Sequence, residues 1–316
     1  MAQYRSDLPQ LGGDLFLTDG GIETTLIFHD GLELPDFAAY ALLKRSEGAA
    51  ALQKYFRAYA ALAKGFGVGL ILESATWRAS RDWAARLGHT AGELADLNRA
   101  AIRLLEGIRA EFQTARTPIV ISGCLGPRGD GYNPTNLMSD EEAETYHAEQ
   151  IRIFAESAAD VVTAITMTYV EEAIGIARAA RSVGMPVVIS LTVETDGRLP
   201  TRDTLQAAIE RVDTATAAYP AYYMINCAHP AHFEGALDEK QPWAQRLRGL
   251  RANASRQSHA ELNESPTLDT GDPVELAAEY AALKRRLPGL NVMGGCCGTD
   301  HRHVEQIAAA CAPLFR

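Results

Sequence analysis

Short apolar runs recur along the chain, separated by longer stretches with helical periodicity. The runs are Leu15–Leu17, Val68–Leu72, Ile119–Ser122, Val161–Ala164, Val187–Leu191, Tyr222–Ile225, Gly249–Ala252 and Asn291–Met293. They are rich in Val, Ile, Leu and Tyr and do not alternate strictly with polar residues, which suits strands buried on both faces. Between them, Glu47–Gly65, Thr90–Phe112, Glu171–Ser182, Asp203–Thr216, Asp272–Arg286 and His301–Ala310 follow helical spacing. Thr90 with Glu93, and Ser139 with Glu142, have the spacing of a capping box that opens a helix. Eight strands, each followed by a helical stretch, predict a closed (β/α)8 barrel of the TIM type, one domain over residues 1–316, rather than an open doubly wound sheet. The polar stretch Asn253–Gly271, which carries Pro266, reads as a long loop.

Composition narrows the partners. A chain of 316 residues, 47% of them hydrophobic, sustains a core of this kind without disulfides or metals. Thirty Lys and Arg against forty Asp and Glu give a net charge of −10, which leaves no basic field for phosphates, so nucleic acid is not an expected partner. No run approaches the roughly 18 apolar residues that cross a bilayer, so no membrane association is expected. The five cysteines are odd in number and follow a polar start, MAQYRSDLPQ, which fits a reducing cytoplasm.

In a parallel barrel the chemistry gathers where strands end and the following loops begin. Strand one is followed by Thr18-Asp19-Gly20-Gly21-Ile22-Glu23, strand two by Glu73-Ser74-Ala75-Thr76-Trp77, and strand three by Gly123-Cys124 and a glycine-rich loop running to Tyr132. Asn226-Cys227 follows strand six, and Gly294-Gly295-Cys296-Cys297-Gly298 follows strand eight. Three thiolates meeting at one barrel mouth make a soft site suited to Zn2+ with one coordination position open. The flanking glycines permit the sharp backbone bend that two adjacent ligands require. His229, His301 and His303 lie close in sequence and are candidate ligands, or helix caps and surface groups. Cys124 and Cys311 read as packing residues.

With these segments assembled, the chain resembles the homocysteine S-methyltransferase family. The resemblance rests on Thr18–Gly21, Ser122–Pro127, Ile225–Cys227 and Gly294–Thr299, in that order, and spans roughly residues 12–311. It implies a (β/α)8 barrel, Cys227, Cys296 and Cys297 as zinc ligands, and a small-molecule thiol acceptor in the open position. It implies that Asp19 holds the acceptor's ammonium group and that Asn226 orients the site. Ile165 stands where family members commonly carry a glutamate for that ammonium, and Glu23 or Glu73 would then supply the charge at the same mouth. Glu73 alternatively pairs with Arg78 or Arg81. Trp77, Tyr132 and Tyr169 are candidate walls for a cationic methyl donor. The expected reaction is methyl transfer from a small cationic donor such as S-methylmethionine to homocysteine, giving methionine. One barrel accounts for the 316 residues, which favours a free donor over methylcobalamin. The alternatives are another thiol or selenol acceptor on the same zinc barrel, a zinc-dependent hydrolase or lyase, and a non-catalytic zinc or thiol-binding protein. A three-thiolate set makes zinc a weaker Lewis acid than histidine ligation does, and so argues against the hydrolase.

Overall fold

The apolar runs become the strands β1 Phe16–Leu17, β2 Gly69–Glu73, β3 Ile119–Leu125, β4 Val161–Met167, β5 Val187–Leu191, β6 Tyr222–Asn226, β7 Leu247–Ala252 and β8 Val292–Gly295. All neighbours pair in parallel, and β1 pairs with β8 (Phe16 opposite Val292), so the sheet closes into an eight-stranded barrel as the pattern predicts. The computed structural model describes residues 1–265 and 267–315, and Asn263 by its backbone alone; Pro266 lies outside the described residues. No helix of the described residues is long and apolar enough to cross a membrane.

The outer layer is formed by α1 Ser46–Phe66, α2 Arg81–Arg86, α3 Ala91–Phe112, α4 Asp140–Ala155, α5 Val170–Ser182, α6 Leu205–Thr216, α7 Pro230–Phe233, α8 His259–Glu264, α9 Pro273–Arg286 and α10 His301–Cys311. Both expected capping boxes form, Thr90 with Glu93 and Ser139 with Glu142, each satisfying backbone N–H groups that a helix start leaves unpaired. The apolar faces of α1, α3, α4, α5, α6, α9 and α10 pack on the outer faces of the strands in one continuous core, while Ala84 of α2 packs in a smaller cluster with Tyr40, Leu94 and Leu97.

Inside the barrel, alternate strand residues point to the lumen. At the amino-terminal end these are Phe16, Ile71, Val120, Val161, Val188, Tyr222, Met224 and Val292, with Leu8 packed among them from the N-terminal segment. That segment is pinned by the buried Asp160, which pairs with Arg109 at 2.7 Å and accepts the backbone N–H of Gln3, Tyr4 and Ile121.

Three details differ from the sequence pattern. Asn253–Gly271 is not all loop: α8 lies within it, opened by a capping box of Ser258 and Glu261 that has no apolar periodicity to announce it. After β6 the chain makes only the one-turn α7 and two 3-10 turns, because Gly235 and Pro242 interrupt the segment before a long helix can propagate. After β1 comes a π-helical turn, Thr24–His29, in place of immediate helix.

Candidate metal and substrate site

Cys227, one residue past β6, meets Cys296 and Cys297, just past β8, at the carboxyl end of the barrel. Their three sulfurs lie within 4.8 Å of one another, with Cys227 and Cys297 4.0 Å apart. Cys227 and Cys296 are joined as a disulfide and Cys297 is free, so a metal would be held by the reduced form. Zinc–sulfur bonds of about 2.3 Å in a tetrahedron separate sulfurs by roughly 3.8 Å, so the 4.0 Å between Cys227 and Cys297 and the soft donors fit that ion once the Cys227–Cys296 bond is reduced. None of His229, His301 and His303 joins the cluster. His229 instead caps α7 through Nδ1, and His303 belongs to the cap of α10 and contacts the Thr270 carbonyl.

The backbone is bent to bring the sulfurs together. Cys227 sits in the left-handed region at φ 52°, a conformation unfavourable for a side-chain-bearing residue. Its N–H donates to the Arg251 carbonyl at 3.1 Å, and its carbonyl accepts from His259 Nε2 on α8. Gly21 lies so close to the turn after β8 that a Cβ there would stand 2.6 Å from the Cys296 carbonyl oxygen, which explains the second glycine of the first-strand motif. Tyr132 stacks on His259 with centroids 4.3 Å apart and brings its hydroxyl to 3.4 Å from Cys227 Sγ and 3.7 Å from Cys297 Sγ.

Deeper in the mouth lies a buried charged group. Asp19 pairs with the Arg251 guanidinium at 2.7 Å and accepts from the Tyr55 hydroxyl at 2.8 Å. Burial raises the Asp19 pKa, with Arg251 and Tyr55 opposing. Glu73 makes no ion pair with Arg78 or Arg81; Arg251 is the cation that acts on it, and its Oε2 has no hydrogen-bond partner among the described residues. Burial pushes Glu73 up to about 7. Glu23 is also pushed up to about 7 by burial; its charge neighbours are Asp19, Arg78 and Arg251, and it acts in turn on the Cys297 thiol. Asn226 is fully buried and spends its amide inside the barrel: Oδ1 accepts from the Thr166 N–H and the Ser190 hydroxyl, and Nδ2 donates to Thr166 Oγ1. Cys124 is buried in the same chamber, close to Glu73 and Arg251.

Trp77 donates Nε1–H to the Ile165 carbonyl at 3.2 Å, and one of its faces is taken by Arg78, whose guanidinium carbon stands 4.0 Å from the ring centroid. Tyr169 turns away and accepts the Met138 N–H. The sequence reading missed Arg251 and Tyr55 and named Arg78 only as a partner for Glu73. Arg251 had a visible signal, a cation inside an apolar strand run; Tyr55 lies on the alanine-rich α1 and had none.

The family model of homocysteine S-methyltransferase matches residues 16–311. Betaine–homocysteine S-methyltransferase 1 of Rattus norvegicus is 22% identical over 95% of this chain and 73% of its own. The oxidized crystal form of homocysteine methyltransferase MmuM from Escherichia coli superposes with a TM-score of 0.76 at 18% identity, covering 96% of this chain and 97% of that one. Its metallated form gives a TM-score of 0.74 at 16% identity, covering 94% and 96%. At these identities the structural likeness establishes the barrel.

Proposed function

The chain belongs to the homocysteine S-methyltransferase family and is an enzyme of that type, and on that premise we propose that it moves a methyl group from a small cationic donor, S-methylmethionine or a close analogue, to homocysteine, giving methionine, with zinc as its metal. The observation that carries this reading is the meeting of Cys227, Cys296 and Cys297 within 4.8 Å at the barrel mouth. A zinc ion held by these three residues would lower the pKa of the acceptor thiol, so that the sulfur reacts as a thiolate. That sulfur attacks the donor's methyl carbon in line; the new C–S bond forms as the methyl's bond to the donor breaks, and the electron pair leaves with the neutral donor product.

The chain's own residues hold the partners. Glu23, whose carboxylate is charge-coupled to Cys297, is the group we assign to the acceptor's ammonium. Asp19 completes the negative field from beneath, neutralised in part by Arg251. Asn226 holds β4, β5 and β6 in register under Cys227. The Tyr132 hydroxyl donates toward the sulfurs and covers the cluster. The engagement of Asp19 by Arg251 and Tyr55 favours a second reading, an acceptor thiol with a different polar end on the same zinc barrel.

The test is a donor-by-acceptor matrix on reduced, zinc-loaded enzyme, read by mass spectrometry. Homocysteine with S-methylmethionine is expected to yield methionine, and Cys297→Ala to lose bound zinc and at least about 100-fold in rate. Glu23→Gln is expected to raise the homocysteine KM about tenfold with kcat little changed. Full zinc content in Cys297→Ala rejects the metal assignment; turnover of another thiol but not homocysteine selects the second reading.

A further inference from the structure

Beside the cysteine cluster the barrel mouth holds a buried cation with no counter-ion among the described residues. Arg78, in the loop after β2, is 6% exposed. Its guanidinium is sandwiched between two indoles, 4.0 Å from the Trp77 centroid and 3.8 Å from that of Trp83 on α2. Nη1 donates to the Gly129 carbonyl at 3.0 Å, while Nε is buried with no acceptor among the described residues. The acids nearby are committed elsewhere: Asp82 to Arg81 and Arg128, and Asp36 to Arg86. The groups that feel the Arg78 charge are Tyr132, Asp130, Glu23 and Asp36, none of which forms an ion pair with it.

A guanidinium removed from water without an anion is costly, and burial accordingly pulls the Arg78 pKa down to about 10. The two indole faces fix the plane of the fork, and its Nε–H is left without an acceptor, a donor that a carboxylate would satisfy. The position is right for a substrate. Arg78 is charge-coupled to Tyr132, whose hydroxyl touches two of the cysteines, and to Glu23, the only neighbouring carboxylate coupled to Cys297 among the described residues.

We infer that Arg78 is the seat for the carboxylate of an amino-acid substrate, held between Trp77 and Trp83 beside the three-cysteine cluster. With Glu23 it forms a matched pair of opposite charges for a zwitterion. The identity of that substrate rests on the methyl-transfer reading: both homocysteine and S-methylmethionine carry such a carboxylate, and either one is the source.

Binding to the reduced, zinc-loaded enzyme, followed by calorimetry, separates these sources. The ligands are homocysteine and 3-aminopropane-1-thiol, which lacks its carboxylate, and S-methylmethionine and dimethyl(3-aminopropyl)sulfonium, related in the same way. Wild-type enzyme is expected to prefer the carboxylate-bearing member of one pair by about 30-fold, and that pair identifies the source. Arg78→Met should abolish the preference while leaving the decarboxylated ligand within about twofold, and Arg78→Lys should restore part of it. If wild-type enzyme binds both members of both pairs equally, the seat is wrong, whatever the variants do. If Arg78→Met weakens both members of a pair alike, its role is structural and the inference also fails. If carboxylate discrimination depends on Arg78 but no methyl transfer occurs with any donor, the seat stands and the proposed reaction falls.

Discussion

Along the same strands, the lumen of the barrel changes character from one end to the other. At the amino-terminal end, Ile71, Val120, Val161, Val188, Met224 and Val292 make a dry layer closed by Leu8. The next inward positions are Glu73, Ser122 with Cys124, Thr163, Ser190, Asn226 and Gly294, and all of them are buried. The way charge is handled differs too. Asp160, at the amino-terminal end, receives three backbone N–H groups and Arg109. At the carboxyl end, Glu73 Oε2, Arg251 Nη1 and Arg78 Nε have no partner among the described residues. Buried polar groups left unsatisfied are expensive. Gln10, at the amino-terminal end, also has an unpaired side-chain amide, but the charged lumen atoms without a partner, Glu73 Oε2 and Arg251 Nη1, lie at the carboxyl end, which is the catalytic end of a parallel barrel.

The strongest way to break this comparison is to remove the cation that keeps the mouth folded. Arg251 faces Asp19 at 2.7 Å and acts on Glu73, both buried. Arg251→Met leaves two acids without it, and the expected loss is about 3–5 kcal/mol in urea unfolding. Adding Asp19→Asn should recover a large part, because it removes the stranded charge. A loss under about 1 kcal/mol would show that water or proton uptake, not Arg251, neutralises these carboxylates.

Much of this was readable in the chain, for a physical reason. A strand covered on both faces is apolar over most of its length, so even the two-residue β1 was marked by Leu15–Leu17. Cys227, Cys296 and Cys297 follow such runs within a few residues, which placed all three at the same end of the barrel. What stayed hidden was pairing across the closure of the barrel. Asp19 follows β1 and Arg251 is the penultimate residue of β7, and only the β1–β8 and β7–β8 registers bring them together. Arg78 was legible only as a possible partner for Glu73, since nothing in its local spacing says that Trp83 closes over it. The helix α8 was missed because its cap, not an apolar stripe, defines it; its His259 then supports Cys227 from a segment that read as loop.

Glu73 offers a second comparison, set by pH. Its carboxyl, 4% exposed, is pushed by burial from an ordinary 4.5 up to about 7. Below about pH 4.5 both folded and unfolded chains hold the proton. Between 4.5 and about 7 the unfolded chain has released it while the folded chain retains it, so stability falls as pH rises and levels off above the folded pKa. The size of the loss is about 3 kcal/mol. Glu73→Gln should remove that component: the difference in unfolding free energy between variant and wild type, measured at pH 5 and pH 8, should change by about this amount in favour of the variant at the higher pH. An unchanged difference means that Glu73 is ionised throughout, with Arg251 as its full counter-ion.

The smallest expected effect tests the other end of the lumen. Ile71 is 1% exposed and points into the dry layer, two residues before Glu73 on the same face of β2. Ile71→Val removes one methyl group and leaves a small void, which should cost about 0.5–1.5 kcal/mol. The neighbouring Phe16, Val120 and Val292 can relax only slightly, because the lumen is packed by side chains from every direction. Ile71 lies in the apolar layer at the end of the lumen away from Cys227, Cys296 and Cys297, so kcat and KM for the methyl-transfer substrates should stay at wild-type values while the unfolding midpoint drops. If Ile71→Val shifts KM as well, the dry layer and the mouth behave as one unit, and the division between a stabilising end and a reactive end of the lumen does not hold.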